Sequence, residues 1–399
     1  MTHRLDPLLR PRSVAVIGAS VREDSMGDWV LRNLERSGFD GNVYPVNPGY
    51  DEVRGRECFS SISDLPEAPD LAIFAIGDHR LEASVDEAIA KGVRAAVIHS
   101  SLFLDVDTEP PLKERLRQKL AEAGMLVCGG NGMGFYNIRD NVWACGFDSR
   151  KHPPGGNAAI ISQSGSGMCG IIDMESRLRA NLAVSTGSEL TVTMDEYIDF
   201  ALDLPETKVI GLFIETARHP PGFRAALARA SRNKIPIVAI KVGRTKKSAE
   251  MAISHSGMIA GDDATYNALF DRYGVHRVTD MDEMATALIL FAELGPIGSG
   301  GLVSLHDSGG EQQLMVDLAL EAGVPLTELS AATTAKLDSV LPPELPAVNP
   351  LDAWSRGGED WAEHMTRCLS IMIQDEGAAI GGLIPVSYTH LTLPTILLV

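Results

Sequence analysis

The chain has no Cys-x-x-Cys pair: its five cysteines, Cys58, Cys128, Cys145, Cys169 and Cys368, stand alone. That excludes the usual zinc spacing and a disulfide framework, so no metal site is expected and a reducing cytoplasm is the expected compartment. Basic residues are not in excess either, since 35 Lys and Arg against 53 Asp and Glu give a formal net charge of -18. Such a surface repels nucleic acid and anionic membranes, and neither is expected as a partner. An anionic ligand has to be met by local backbone donors and a few placed cations. No apolar run approaches the roughly 20 residues that span a bilayer. At the N-terminus Arg4, Asp6, Arg10 and Arg12 leave no apolar signal core.

What is present is the composition of a globular protein, 45% hydrophobic and 22% charged, in 399 residues that allow two or three domains. Short runs rich in Val and Ile recur at Ser13 to Ile17, Val43 to Val46, Leu71 to Ile76, Ala95 to Ile98 and Leu126 to Cys128, with helical spacing between them. This alternation predicts an α/β fold, a buried and mostly parallel sheet with helices on both faces. The Leu112 to Ala123 helix is expected to turn its arginines and lysines to solvent. Turn formers mark boundaries at His152-Pro153-Pro154-Gly155-Gly156 and at Gly295-Pro296-Ile297-Gly298-Ser299-Gly300. After each, a strand runs into a Ser/Gly turn and a helix: Ala158 to Ser162 into Ser164-Gly165, and Leu302 to Leu305 into Ser308-Gly309-Gly310. Three α/β units in series are therefore expected, at 1–148, 155–294 and 299–385. Further strands of the second unit are expected at Leu182 to Ser185, Val209 to Ile214 and Ile235 to Lys241. Residues 386–399 break off a glycine-rich strand, Ala378 to Ile384, and resemble a translated sequencing adapter; the native chain is expected to continue past Pro385.

Five places in the sequence can carry chemistry. Gly18-Ala19-Ser20 follows the first strand, and small residues there let a phosphate approach backbone N–H groups. The second strand ends in Tyr44-Pro45-Val46-Asn47-Pro48, with no acidic ribose ligand, so a nucleotide is favoured over NAD. Gly129-Gly130-Asn131-Gly132-Met133-Gly134 implies backbone brought close to a ligand or to a neighbouring segment; nearby Asn137, Trp143 and Cys145 pack on that ligand or fill the core. Ser162-Gln163-Ser164-Gly165-Ser166-Gly167 is a second anion-ready turn, although a serine there also caps a helix. Glu215, ending the Val209 to Ile214 strand, sits where active-site groups collect in open sheets; it either holds a histidine ring or pairs with Arg218. His255, framed by Ser254, Ser256 and Gly257 and followed by Ala260-Gly261, reads as an accessible histidine in a turn and a candidate phosphoryl-carrying nucleophile.

In order and spacing these stretches, with Asn349-Pro350-Leu351-Asp352, resemble the NDP-forming acyl-CoA synthetases, the superfamily of succinyl-CoA synthetase and ADP-forming acetate–CoA ligase. The resemblance implies a Rossmann-like CoA-binding domain followed by two flavodoxin-like ligase domains, the last incomplete, with an ATP-grasp module fused or on a partner subunit. It implies an acid:CoA ligase in which a carboxylic acid, CoA and ATP give an acyl-CoA through an acyl phosphate. ATP with Mg is expected at the missing module, and an oligomer is expected. His255 matches the phosphorylated histidine, Glu215 its positioning glutamate, Ser164 and Gly165 the phosphate turn. Gly18, Ala19 and Ser20 match part of the CoA site, to which Asn47, Pro48 and Asn131 are added. Two departures bear on the acyl end: Gly129-Gly130-Asn131-Gly132 stands where the family has Gly-Pro-Asn-Cys, and Ser185-Thr186-Gly187-Ser188 where it has Ser-x-Gly-Asn. A bulky aromatic acid, as in feruloyl-CoA synthetases, is one candidate substrate. The competing class is a CoA-binding regulatory or acyl-transferring protein without ligase activity.

Overall fold

The structure, a computed structural model, describes residues 3–256, 261–353 and 360–384, with backbone alone at 174 and 252–256. It divides into two compact units, Met1–Gly295 and Pro296–Val399.

In the first unit, two sheets account for the expected strands. One has five parallel strands in the order Asn42–Val46, Ser13–Ile17, Leu71–Phe74, Ala95–Ile98, Leu126–Gly129. Ser13–Ile17 is buried along its whole length, as a central parallel strand covered on both faces must be. The helix that follows, Met26–Ser37, starts at Ser25, whose hydroxyl accepts the Asp28 N–H at 3.3 Å, and stops at left-handed Gly38. The Leu112–Glu122 helix forms as expected, but Lys113, Arg115, Arg117 and Lys119 are half-buried rather than solvated. Arg115 lies 2.9 Å from both Glu82 and Asp107.

The second sheet runs His276–Val278, Ile237–Lys241, Val209–Ile214, Ala158–Ser162, Ala180–Ser185, Gly134–Asn137, Val142–Cys145. Its first five strands are parallel, and the last two join antiparallel. That terminal hairpin is absent from the sequence expectation because its four-residue strands follow a glycine run and carry no clear alternation. Although it lies inside 1–148, it pairs with Ala180–Ser185, Ser185 facing Gly134 and Leu182 facing Asn137. A single apolar cluster accordingly runs from Val14, Val16 and Leu71 of the first sheet to Ala159, Ile161 and Leu182 of the second. Each fully buried side chain of this kind stabilises the fold by about 1.5–3 kcal/mol. Trp143 and Cys145 are buried in a second apolar cluster, on the other face of the second sheet, with Ile160 and Ala183, and the buried Asn137 amide donates to the Leu9 carbonyl at 2.9 Å.

The second unit holds a three-stranded parallel sheet in the order Leu351–Asp352, Gly301–His306, Ala378–Ile384. As the repeated pattern predicts, Gly301–His306 runs into a helix at Gly309–Glu321. The residues after Ile384, including the expected adapter-like tail, lie outside the described residues. All five cysteines are free and buried. Among the described residues no helix is long and apolar enough to cross a membrane, and no group of His, Cys, Asp and Glu is arranged to hold a metal ion.

Candidate functional site

Parallel pairing puts the carboxyl ends of Ala158–Ser162, Val209–Ile214 and Ile237–Lys241 on one edge of the second sheet. Ser164, Glu215 and the helix carrying His255 all leave from that edge. Helix Gly165–Met174 begins there, and the Ser164 hydroxyl accepts the Gly167 N–H at 3.1 Å. Ser164 is thus a helix cap, and the helix end it caps faces the site with its partial positive charge.

Gln163 fixes the geometry. Its side-chain oxygen accepts the N–H groups of Glu215 at 2.7 Å and Thr216 at 3.0 Å. Its amide donates to the Thr216 carbonyl at 2.7 Å and to Glu189 Oε1 at 2.9 Å. One 6% exposed glutamine therefore locks the loop after Val209–Ile214 to the loop after Ala180–Ser185. The glycine run packs against that second loop: the Ser188 N–H donates to the Gly130 carbonyl at 2.6 Å and the Met133 N–H to the Ser185 hydroxyl at 3.0 Å. A Cβ on Gly187 would overlap the Gly130 carbonyl oxygen, so the close neighbour that the glycines permit is protein backbone.

These contacts enclose a cavity of about 220 Å³ lined by Asn131, Ser164, Gly165 and Glu215, together with His99, Gln163, Ser166 and Arg218. Four expected site residues are thereby brought to one place. Gly18, Asn47 and Pro48 line a separate cavity of about 200 Å³ with Ser60, Ile76 and Arg80. Ala19 and Ser20 do not line it: Ala19 is fully buried with its carbonyl accepting the Asn47 amide at 2.7 Å, and the Ser20 hydroxyl accepts the Arg22 N–H at 3.0 Å. The two cavities are one residue apart through Ser100, whose hydroxyl donates to the Ile76 carbonyl at 2.7 Å and whose carbonyl accepts the Asn131 N–H at 2.7 Å. A further cavity, about 460 Å³ and lined by Phe223, Tyr266 and Leu269 beside Thr216, includes Gly261 from the end of the His255 stretch and none of the other expected residues. Its lining is mainly apolar, so anion chemistry belongs to the smaller, polar cavity.

His255 is not in a turn. It lies in the last turn of helix Lys246–Ser256, opened by reciprocal hydroxyl bonds in which Thr245 and Ser248 each accept the other's N–H at 3.2 Å. The Lys-Lys-Ser-Ala-Glu-Met-Ala run favours helix more strongly than the serines and glycine that follow favour a turn. The His255 side chain and residues 257–260 lie outside the described residues.

The sequence reading did not find Glu189 or His99. Glu189 is 3% exposed; its Oε1 accepts the Gln163 amide and, at 2.8 Å, the Thr186 hydroxyl. Arg218 Nε stands 3.7 Å from Glu189 Oε2; among the described residues Arg218 has no ion pair with Glu215, the partner the sequence suggested. Burial pushes the Glu189 carboxyl up to about 7, against the pull of Arg218. His99 is buried and forced down to about 4, so the ring is neutral; its Nδ1 donates to the Gly132 carbonyl at 3.0 Å. Burial also lowers the Lys113 and Arg218 values, and Arg117 pushes both the same way. Lys113, Arg117 and Arg218 are thus close enough for their charges to act on one another. The signal available in the sequence was a carboxylate directly after a small-residue turn at a strand's carboxyl end.

Comparison with known proteins supplies a family. Residues 12–137 match the CoA binding domain and residues 155–291 the succinyl-CoA ligase like flavodoxin domain. The chain is 32% identical to a trans-feruloyl-CoA synthase from an unknown prokaryotic organism over 96% of its own length and 55% of that protein's. It is 31% identical to the alpha subunit of the ADP-forming acetate–CoA ligase II of Pyrococcus furiosus, over 94% of this chain and 81% of that subunit. It spans about half the length of several other relatives, from 48% to 55%. Among solved structures, the dinucleotide-forming acetyl-coenzyme A synthetase 1 of Ca. Korarchaeum cryptofilum, in complex with phosphate and ADP, is 29% identical with a TM-score of 0.84, covering 96% of this chain and 82% of that one.

Proposed function

The chain belongs to the ADP-forming acyl-CoA synthetases, and from that premise we propose that it is the acid- and CoA-handling part of an acid:CoA ligase working with an ATP-grasp module. The observation that carries the reading is the convergence of Asn131, Ser164, Gly165 and Glu215 on one polar cavity at the edge from which the His255 helix departs. A phosphoryl group needs donors aimed at its oxygens, and the Gly165–Met174 helix offers free N–H groups there. His255 takes the phosphoryl group from ATP bound at the module, with Mg, and passes it to the carboxylate of the acid. Glu215 steadies the imidazole. The thiol of CoA then attacks the acyl carbon and phosphate leaves. CoA lies along the Gly18, Asn47 and Pro48 cavity, where Arg80 supplies a cation, and its thiol end passes Ser100 toward Asn131. Residues 1–148, 155–294 and 299–385 are the three functional modules of this scheme, acting in a cytoplasmic oligomer. Carboxylic acids from acetate to aromatic acids are the candidate substrates, and relatives named for acetate, 4-hydroxybutyrate and feruloyl substrates support that range.

Combined with an ATP-grasp subunit and labelled ATP, the chain is expected to give an acid-labile, base-stable phosphoenzyme. The same label on His255→Ala would refute the assignment. Without that module no ATP-dependent ligase turnover is expected. Calorimetry is expected to detect binding of CoA and no comparable binding of NAD; the reverse preference would return the chain to the nicotinamide oxidoreductases.

A further inference from the structure

Behind the polar cavity sits a charge pair that the proposed reaction has not used. The Glu189 side chain has no exposed surface and that of Arg218 is 16% exposed. Both hydrogen bonds received by Glu189 from side chains fall on Oε1, while Oε2 and Arg218 Nε are buried without a hydrogen-bond partner. At 3.7 Å the two groups are held as charges rather than as a close hydrogen-bonded pair. Arg218 also lines the cavity, so the cation that faces this buried carboxylate, the only one among the described residues, is placed to face a ligand as well.

We propose that Arg218 is an oxyanion-binding residue of this cavity, that Glu189 is its positioning residue, and that a tetrahedral oxyanion entering the cavity drives a proton onto Glu189. An oxyanion competes for the guanidinium charge. A buried carboxylate that loses its counter-charge is costly and neutralises by protonation. The neutral carboxyl keeps its bonds from Gln163 and Thr186 and leaves the Arg218 charge to the ligand. Among the described residues no other cation acts on Glu189: the Met194 N–H favours its charged form as a neutral donor only, and Cys128 and Tyr197, on the strand and helix packed against it, are held neutral by burial. On the far side Arg218 faces Glu215 and Arg117, with Lys113 beside them. A free Glu189 near 7 puts the coupling in the neutral range. The proton uptake is therefore expected above that value and vanishes well below it, where the carboxyl is already protonated.

The proposal rests on reading the cavity as the phosphoryl site. Sulfate tests it, being tetrahedral and free of its own titration at neutral pH. Calorimetry of the full chain with sulfate, in two buffers of different ionisation enthalpy, reads affinity and protons together. For the wild type we expect affinity to fall several-fold from pH 6.5 to 8.5, by at most about tenfold per pH unit, with proton uptake at the upper end. Glu189→Gln is expected to bind sulfate with little dependence on pH and without the uptake. Arg218→Gln is expected to bind at least about tenfold more weakly, and Arg218→Lys, which keeps the charge, to recover part of the loss. Unchanged affinity in folded Arg218→Gln, or the wild-type pH dependence in Glu189→Gln, overturns the proposal. So does no sulfate binding by the wild type, whereas the phosphoryl-transfer reading is judged separately by the label on His255.

Discussion

Glu189 shows how much one buried side chain can shift the behaviour of a site. Its carboxyl is raised by burial to about 7 from an ordinary 4.5. A carboxylate whose folded value lies above its unfolded value stabilises the fold at pH below 4.5, and that contribution is lost as pH climbs to about 7, because the unfolded chain releases the proton first. The loss is on the order of 3 kcal/mol. Glu189→Gln has no such proton to lose, so its stability relative to wild type is expected to improve by that order between pH 5 and pH 8 in urea unfolding, whatever the constant cost of the substitution. A pH-independent difference would show that Glu189 has an ordinary carboxylate value. Of the residues around it, Ser164, Gly165, Asn131 and Glu215 were legible because small residues and carboxylates at strand ends follow a topological rule. Glu189 was not. It follows the Ser185-Thr186-Gly187-Ser188 turn and reaches the site only through Gln163 and Arg218, contacts that no local pattern encodes.

At the scale of elements, the parallel strands of both sheets in the first unit, the short His276–Val278 excepted, were readable to within a few residues, since continuous Val/Ile runs between helices have few other solutions. The Gly134–Asn137 and Val142–Cys145 hairpin was not, and neither was the His255 helix, whose hydroxyls and following glycine carry the signature of a turn while the helix formers ahead of them decide the backbone. The turn at Gly18 needs its glycine for a reason stronger than a ligand. Gly18 has φ +90°, and a Cβ there would overlap the Ala75 carbonyl oxygen, while one on Gly27 would overlap the Gly18 carbonyl oxygen. The Met26–Ser37 helix and the Leu71–Phe74 strand close on this turn from two sides. Gly18→Ala is accordingly expected to cost at least about 2 kcal/mol in chemical denaturation. A variant as stable as wild type would mean that the turn relaxes freely, and that small residues there serve the ligand alone.

For the whole molecule, the expected break near Pro153-Pro154 marks neither a change of sheet nor a change of core: the sheet changes earlier, between Leu126–Gly129 and Gly134–Asn137. The apolar cluster joins both sheets, and the hairpin numbered with the first belongs to the second. A fragment of residues 1–295 is expected to unfold in one cooperative transition, whereas 1–148 is expected to expose its unpaired hairpin and to be cut rapidly by protease. Independent two-state unfolding of 1–148 would contradict the shared core. The composition at 152–156 reports turn formers and not which sheet a strand joins, which is decided by pairing across about 45 residues of chain. For recombination between relatives the hairpin sets a constraint. A chimaera spliced at Pro153-Pro154 would carry a donor's two edge strands into a host's sheet, where they must match the register of Ala180–Ser185 and supply the carbonyls that hold its glycine turn. Crossovers placed before Gly129 or after Gly295 keep those partners from one parent, so the inheritable blocks of this chain are cut differently from the blocks its prolines suggest.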